Sequence, residues 1–184
     1  MRSIAAAGLI SFFAAIPPIA AADKSVDGSF AAMAVVETST GTRQMGFTVV
    51  VSHPMTMEET LPYKKILHEG GQQALVNSIR GMGRGSFLLG MVEYPIDVIV
   101  AEPNDNGVKY SVVTTRQLQY EEVVDGARSV DYPFTVLVFQ VPDFGRGDGK
   151  IFTKAALSVD EEGHVKAQQF RGKAGVLKDV RKTN

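Results

Sequence analysis

Residues 96–116 read IDVIVAEPNDNGVKYSVVTTR, and this stretch decides the class of fold. Asn104-Asp105-Asn106-Gly107 sits at its centre. Asn and Gly tolerate the positive φ of a type I′ turn, so the tetrapeptide joins two antiparallel strands. Before the turn, residues 96–102 are rich in β-branched side chains. After it, Val108, Tyr110 and Val112 alternate with Lys109 and Ser111, the period of a strand with one buried face. The local unit is a hairpin.

Runs of the same kind flank it at 30–38, 47–52, 86–92, 134–141, 151–159, 164–170 and 176–180. That makes about nine strands. Asp160-Glu161-Glu162-Gly163 marks a second hairpin turn. The run at 134–141 is apolar on both faces, as a central strand requires. Tyr94-Pro95 and Tyr132-Pro133 open similar apolar segments. Proline starts a strand at little cost, so both read as strand-start signals and not as copies of a repeat.

One segment breaks the strand pattern. Thr56-Met57-Glu58-Glu59 is a capping box, a hydroxyl for an early amide and a Glu three residues on. Leu67, Leu75 and Ile79, with Gly71, Ala74 and Ser78 between them, recur at helical spacing. Gly81 suits a left-handed helix end. The spacing predicts one helical segment near residues 57–80. Gly70-Gly71 interrupts it, at a cost of about 1 kcal/mol per mid-helix glycine, and predicts a kink or a break into two short helices. Strands without regular β–α alternation pair antiparallel. The expected class is α+β, mainly antiparallel β: a curved sheet or partly closed barrel with the helix over one face or plugging an end. A β-sandwich with a helical insertion is the alternative.

The N-terminus carries an address. Arg2 supplies a positive charge, residues 4–16 are uncharged and apolar, Pro17-Pro18 ends the run, and Ala20-Ala21-Ala22 offers a small-residue cleavage site. Residues 1–22 read as a signal peptide and residues 23–184 as a single β-rich globular domain. A bilayer span needs about 20 apolar residues, more than this run holds. No later stretch is long enough either, so the mature chain carries no transmembrane segment. The expected localisation is exported, periplasmic or extracellular, and the lack of disulfides favours a bacterial source. The chain has no cysteine. That excludes disulfides, thiolate–zinc sites and thiol nucleophiles, so the domain must hold by core packing. A formal net charge of −1 gives no general attraction to nucleic acid.

The chemistry-bearing candidates are few. His53, Met55 and Met57 are an imidazole and two thioethers in alternate positions, soft ligands suited to Cu(I) or Ag(I). In an extended segment all three share a face. Against this, Met at a strand–helix junction commonly fills core gaps. The glycine-rich stretches 81–85 and 145–149 each carry an arginine, but neither is followed by the Gly-Lys-Ser/Thr of a phosphate loop. No serine elbow and no His-Glu-x-x-His motif occurs. The reading is therefore a non-enzymatic exported domain that binds a small or apolar ligand or a partner protein of the cell envelope. A soft-metal protein and a hydrolase without a recognisable motif are the alternatives. A curved sheet under a helix encloses space for a ligand, and Phe87, Tyr110 and Phe134 are the aromatic residues expected to line it.

Overall fold

The turn at 104–107 joins two strands as its sequence demands, β5 (Val98–Asn104) and β6 (Gly107–Thr114), paired from Val98↔Val113 to Asn104↔Gly107. The computed structural model describes residues 26–38, 41–116, 118, 130–170 and 173–183. Residues 1–22, read above as a signal peptide, lie outside them. The remaining elements are β1 (Gly28–Thr38), β2 (Gly41–Val51), α1 (Met57–Ile79), β3 (Gly85–Leu89), β4 (Val92–Ile96), β7 (Phe134–Pro142), β8 (Gly147–Val159), β9 (Val165–Gln169) and β10 (Gly175–Lys182). The fold is α+β and mainly antiparallel β, with a single helix among the described residues.

The strands make one sheet in the order β4-β3-β2-β1-β10-β8-β7-β6-β5, with β9 added to the far half of β8. One continuous sheet, not two facing ones, rules out the sandwich alternative. It curls until its ends meet, and the residue at the meeting point is Asp97, between β4 and β5. The Asp97 amide donates to Val113 O at 3.1 Å, and the Thr114 hydroxyl donates to Pro95 O at 2.8 Å. The Asp97 side chain is buried and accepts three bonds: Gly81 N–H on Oδ1 at 2.7 Å, and the amide and hydroxyl of Thr115 on Oδ2 at 2.6 and 2.8 Å. One carboxylate thus ties the helix exit, the β4–β5 corner and the end of β6 together.

The inner face of the barrel is filled. Phe30, Tyr110 and Phe139 form one aromatic group with ring centroids 4.9–6.0 Å apart. Phe47, Phe87 and Tyr94 form another, at 5.7 and 5.1 Å. Aliphatic residues such as Val49, Ile96, Ile99 and Leu177 complete this core. A second core lies outside the barrel, where α1 packs on the sheet through Leu67, Leu75, Val76 and Ile79 against Phe134, Val136, Ala155 and Leu157. Strands below the helix therefore bury both faces, and their sequences lose polar alternation.

Three local features differ from the sequence reading or refine it. First, the run at 86–92 is not one strand. Gly90, at φ 63°, and exposed Met91 make a tight turn between β3 and an extra strand, β4. Second, Pro95 lies inside β4 and does not start a strand; β4 is the edge of the sheet and pairs only with β3, so the missing amide costs nothing. Tyr132-Pro133 does immediately precede β7. Third, Gly147 and Gly149, of the glycine-rich stretch 145–149, belong to β8. A Cβ at Gly149 would fall 2.6 Å from both Phe139 Cβ and Val138 O, so close crossing of β7 and β8 admits only glycine there.

The helix starts with the expected box, since Glu59 N–H donates to Thr56 Oγ1 and Thr56 N–H to Glu59 Oε2. It breaks at Gly71, whose φ of 71° and ψ of −166° suit glycine alone. The break aims Gln72 at β8. Phe170 N–H bonds to Lys154 O, and Asp160 N–H to His164 O, so the even-numbered residues of β8 face β9. Leu157 turns its own amide and carbonyl to the other side, beyond the start of β7. Gln72 meets both there: Nε2 donates to Leu157 O at 2.5 Å, and Leu157 N–H donates to Gln72 Oε1 at 3.0 Å. A side-chain amide thus stands in for the next strand.

Two substitutions test these ties. Each orphaned buried polar group costs about 1–3 kcal/mol. Gln72→Ala should lower the urea unfolding free energy by about 2 kcal/mol, and Gln72→Glu by more, because a carboxylate would face the Leu157 carbonyl. Asp97→Ala takes an acceptor from three donors and should cost about 3 kcal/mol in the same measurement.

Candidate functional site

The inner face of the barrel is filled by side chains, and an apolar groove lies outside it, between α1 and the sheet. The strands supply one wall because their outward positions are apolar. In β5, Ile99 points into the barrel, while Val98 and Val100 point out and are half-buried. In β6, Val112 points in and Val113 out. The helix supplies the other wall with Tyr63, Leu67, Leu75 and Ile79. Leu157 closes one side, and Val165 the lip. The cavity measures about 210 Å³. An engineered apolar cavity of about 150 Å³ stays dry and admits benzene, so this volume suits one ring or a short alkyl chain.

Charged and polar side chains stand around the apolar walls. Lys109 and Glu102, on neighbouring strands, form an ion pair at 3.1 Å. Lys64, on α1, donates from Nζ to Gly163 O at 3.1 Å. Ser111 and Thr60 add hydroxyls, of which Thr60 is already bonded to Met57 O at 2.6 Å. His164 borders the lip from the β8–β9 turn.

That turn brings three metal-ligating side chains together. Ligand atoms of Asp160, Glu162 and His164 lie within 4.8 Å of one another. Each is already explained by the turn itself. Asp160 Oδ1 accepts the amides of Glu162 and His164, and Oδ2 pairs with Lys166 Nζ at 3.0 Å. Lys166, and then the His164 amide, hold the Asp160 carboxyl below its ordinary range. Glu162 and His164 are exposed. The cation that such a cluster needs is already supplied by the lysine.

The sequence candidates fall elsewhere. Phe87 and Tyr110 are buried in the barrel core among other rings, and Phe134 is buried beneath α1. None borders the groove. His53, Met55 and Met57 do not converge. Met55 is buried and its amide bonds to Ile99 O at 2.6 Å, while His53 and Met57 are exposed. The segment is not a regular strand, so alternation does not put the three on one face. Met57 alone reaches the groove rim. Arg146, of the glycine-rich stretch 145–149, pairs with Asp179 at 3.0 Å, and Gly147 and Asp148 are already within β8. The Gly81 amide of the other glycine-rich stretch is taken by Asp97.

The groove residues carried a signal that the search for motifs passed over. Val98 and Val100 on either side of Ile99, and Val113 beside Val112, are apolar on consecutive positions. A strand facing water on one side would not be. Comparisons with family models, with curated proteins and with solved structures found no match.

Tyr110 is the one group here with a large pKa displacement. Its hydroxyl donates to Val26 O at 2.9 Å. Burial, and secondarily the Asp27 carboxylate, push the phenol from 10.0 up to about 12. The folded state therefore holds this proton more tightly than the unfolded chain. The associated stability is complete below pH 10 and lost as pH rises toward 12, about 2–3 kcal/mol in all. Alkaline unfolding followed by tyrosinate absorbance should show this loss, and Tyr110→Phe should flatten it between those pH values.

Proposed function

We propose that this domain is a non-catalytic binding module, exported from the cell, that takes a small apolar ligand between α1 and the outer face of β5 and β6. The observation that carries the reading is the two-walled apolar groove: Leu67 and Ile79 on the helix, opposite Val98, Val100 and Val113 on the sheet. A groove of this kind costs stability when empty, because its walls lack partners for dispersion contacts. Burying an apolar ligand returns that contact area at roughly 25 cal/mol per Å².

Export is supported by the charged, apolar and small-residue zones of residues 1–22. A bacterial periplasmic or secreted setting fits a domain without cysteine, which gains nothing from an oxidising compartment and relies on two packed cores. The envelope-partner reading rests on exposed apolar side chains such as Met91 and Phe144, and among the described residues these form no groove like the one beneath α1. The hydrolase reading would need a nucleophile or a carboxylate pair with a base in reach, and the groove-lining Ser111 has no such neighbour among its recorded contacts.

A ligand of about ten heavy atoms, at ~0.3 kcal/mol per atom, binds at millimolar concentration or tighter. The test is titration of the full domain with N-phenyl-1-naphthylamine, a neutral dye that brightens in apolar surroundings. Val100→Phe and Val113→Phe fill the groove and should each weaken the dye at least tenfold. Wild-type affinity in both filled variants would refute the assignment.

A further inference from the structure

Among the charged side chains that line the groove, Lys64 stands apart in its partners. Glu102 and Lys109 neutralise each other across β5 and β6 at 3.1 Å. His164 lies 3.7 and 3.6 Å from the carboxylates of Asp160 and Glu162. Lys64 lines the same cavity from α1, is half-buried, and has no carboxylate at ion-pair distance among the described residues. Its one recorded bond goes to a neutral acceptor, Gly163 O, at 3.1 Å. An ammonium group offers three donors, so two remain. That bond also holds the side chain across the gap from the helix to the β8–β9 turn, which fixes the charge at the groove and away from bulk solvent. Half-burial of a cation is unfavourable unless an anion completes it.

We infer that the ligand is a free short-chain carboxylate: its alkyl part lies between α1 and β5–β6, and its carboxylate is held by Lys64. This rests on the groove reading above and adds the ligand's charge to it. A neutral apolar molecule would fill the same space and leave the ammonium without a counter-ion. An amphiphilic cation would meet Lys64 with like charge. A carboxylate matches both the volume of about 210 Å³ and the unpaired donors.

The test compares three ligands with the same chain, octanoate, 1-octanol and octylammonium, by calorimetry on the full domain at pH 7.5. Wild type should prefer octanoate to octanol by about 5-fold, the upper end for an ion pair that solvent still reaches. Octylammonium should bind more weakly than either. The preference should shrink in 0.5 M salt. Lys64→Met should bring octanoate down to octanol and leave octanol unchanged. Lys64→Arg should keep the preference and serves as the control for folding. Equal binding of octanoate and octanol, or a preference that survives Lys64→Met, overturns the inference and leaves the groove reading intact. Failure of all three ligands to bind overturns both.

Discussion

The buried carboxylate of Asp97 is the constraint on which the rest of the architecture depends. A ten-stranded sheet can stay open, coil or close, and the difference lies in what happens at its two outer strands. Here those strands, β4 and β5, are consecutive in the chain, and Asp97 is the single residue between them. Its two oxygens accept from Gly81 and Thr115, donors that would otherwise be left at the exits of the helix and of β6. A buried charge is costly unless its lone pairs are satisfied. Satisfying them requires all three chain segments to be in place at once. Helix position, barrel closure and the height of α1 above β5 are therefore fixed together.

The groove follows from that arrangement. The barrel interior is filled with aromatic rings and aliphatic side chains, and among the described residues α1 covers part of the outer surface. The helix is held near its C-terminal end by Asp97 and at its middle by Gln72. Its first turns are tied more lightly, by Lys64 to a turn and by the bridge at Met55. The groove runs along both halves of the helix, from Thr60 and Leu67 to Leu75 and Ile79.

Much of the fold was legible in the residues. Asn104-Asp105-Asn106-Gly107 named its turn, the Thr56–Glu59 box named the helix start, and Gly71 named the break. The failures have physical causes. β4 was hidden because Gly90 and Met91 interrupt an apolar run without the polar residues that usually mark a turn. Pro95 misled because edge position, the property that makes it harmless, is a fact of the whole sheet. The placement of Phe87, Tyr110 and Phe134 followed from taking a curved sheet to be hollow. Side-chain size alone does not tell whether rings line a cavity or fill it. Lys64 could not be singled out from sequence, since its lack of a carboxylate partner depends on residues 99 positions away.

Gln72 has a consequence for the chain's life among other copies of itself. The far half of β8 extends past the start of β7, so Leu157 presents one amide and one carbonyl on an uncovered flank, the kind of edge that another strand can adopt. The primary amide of Gln72 occupies both groups and removes that pair from an incoming backbone. In a protein with no disulfide to restrain partial opening, that one side chain acts as a guard against intermolecular strand addition. Resistance to self-association then rests in part on a half-buried side chain of the helix as well as on the charges at the surface.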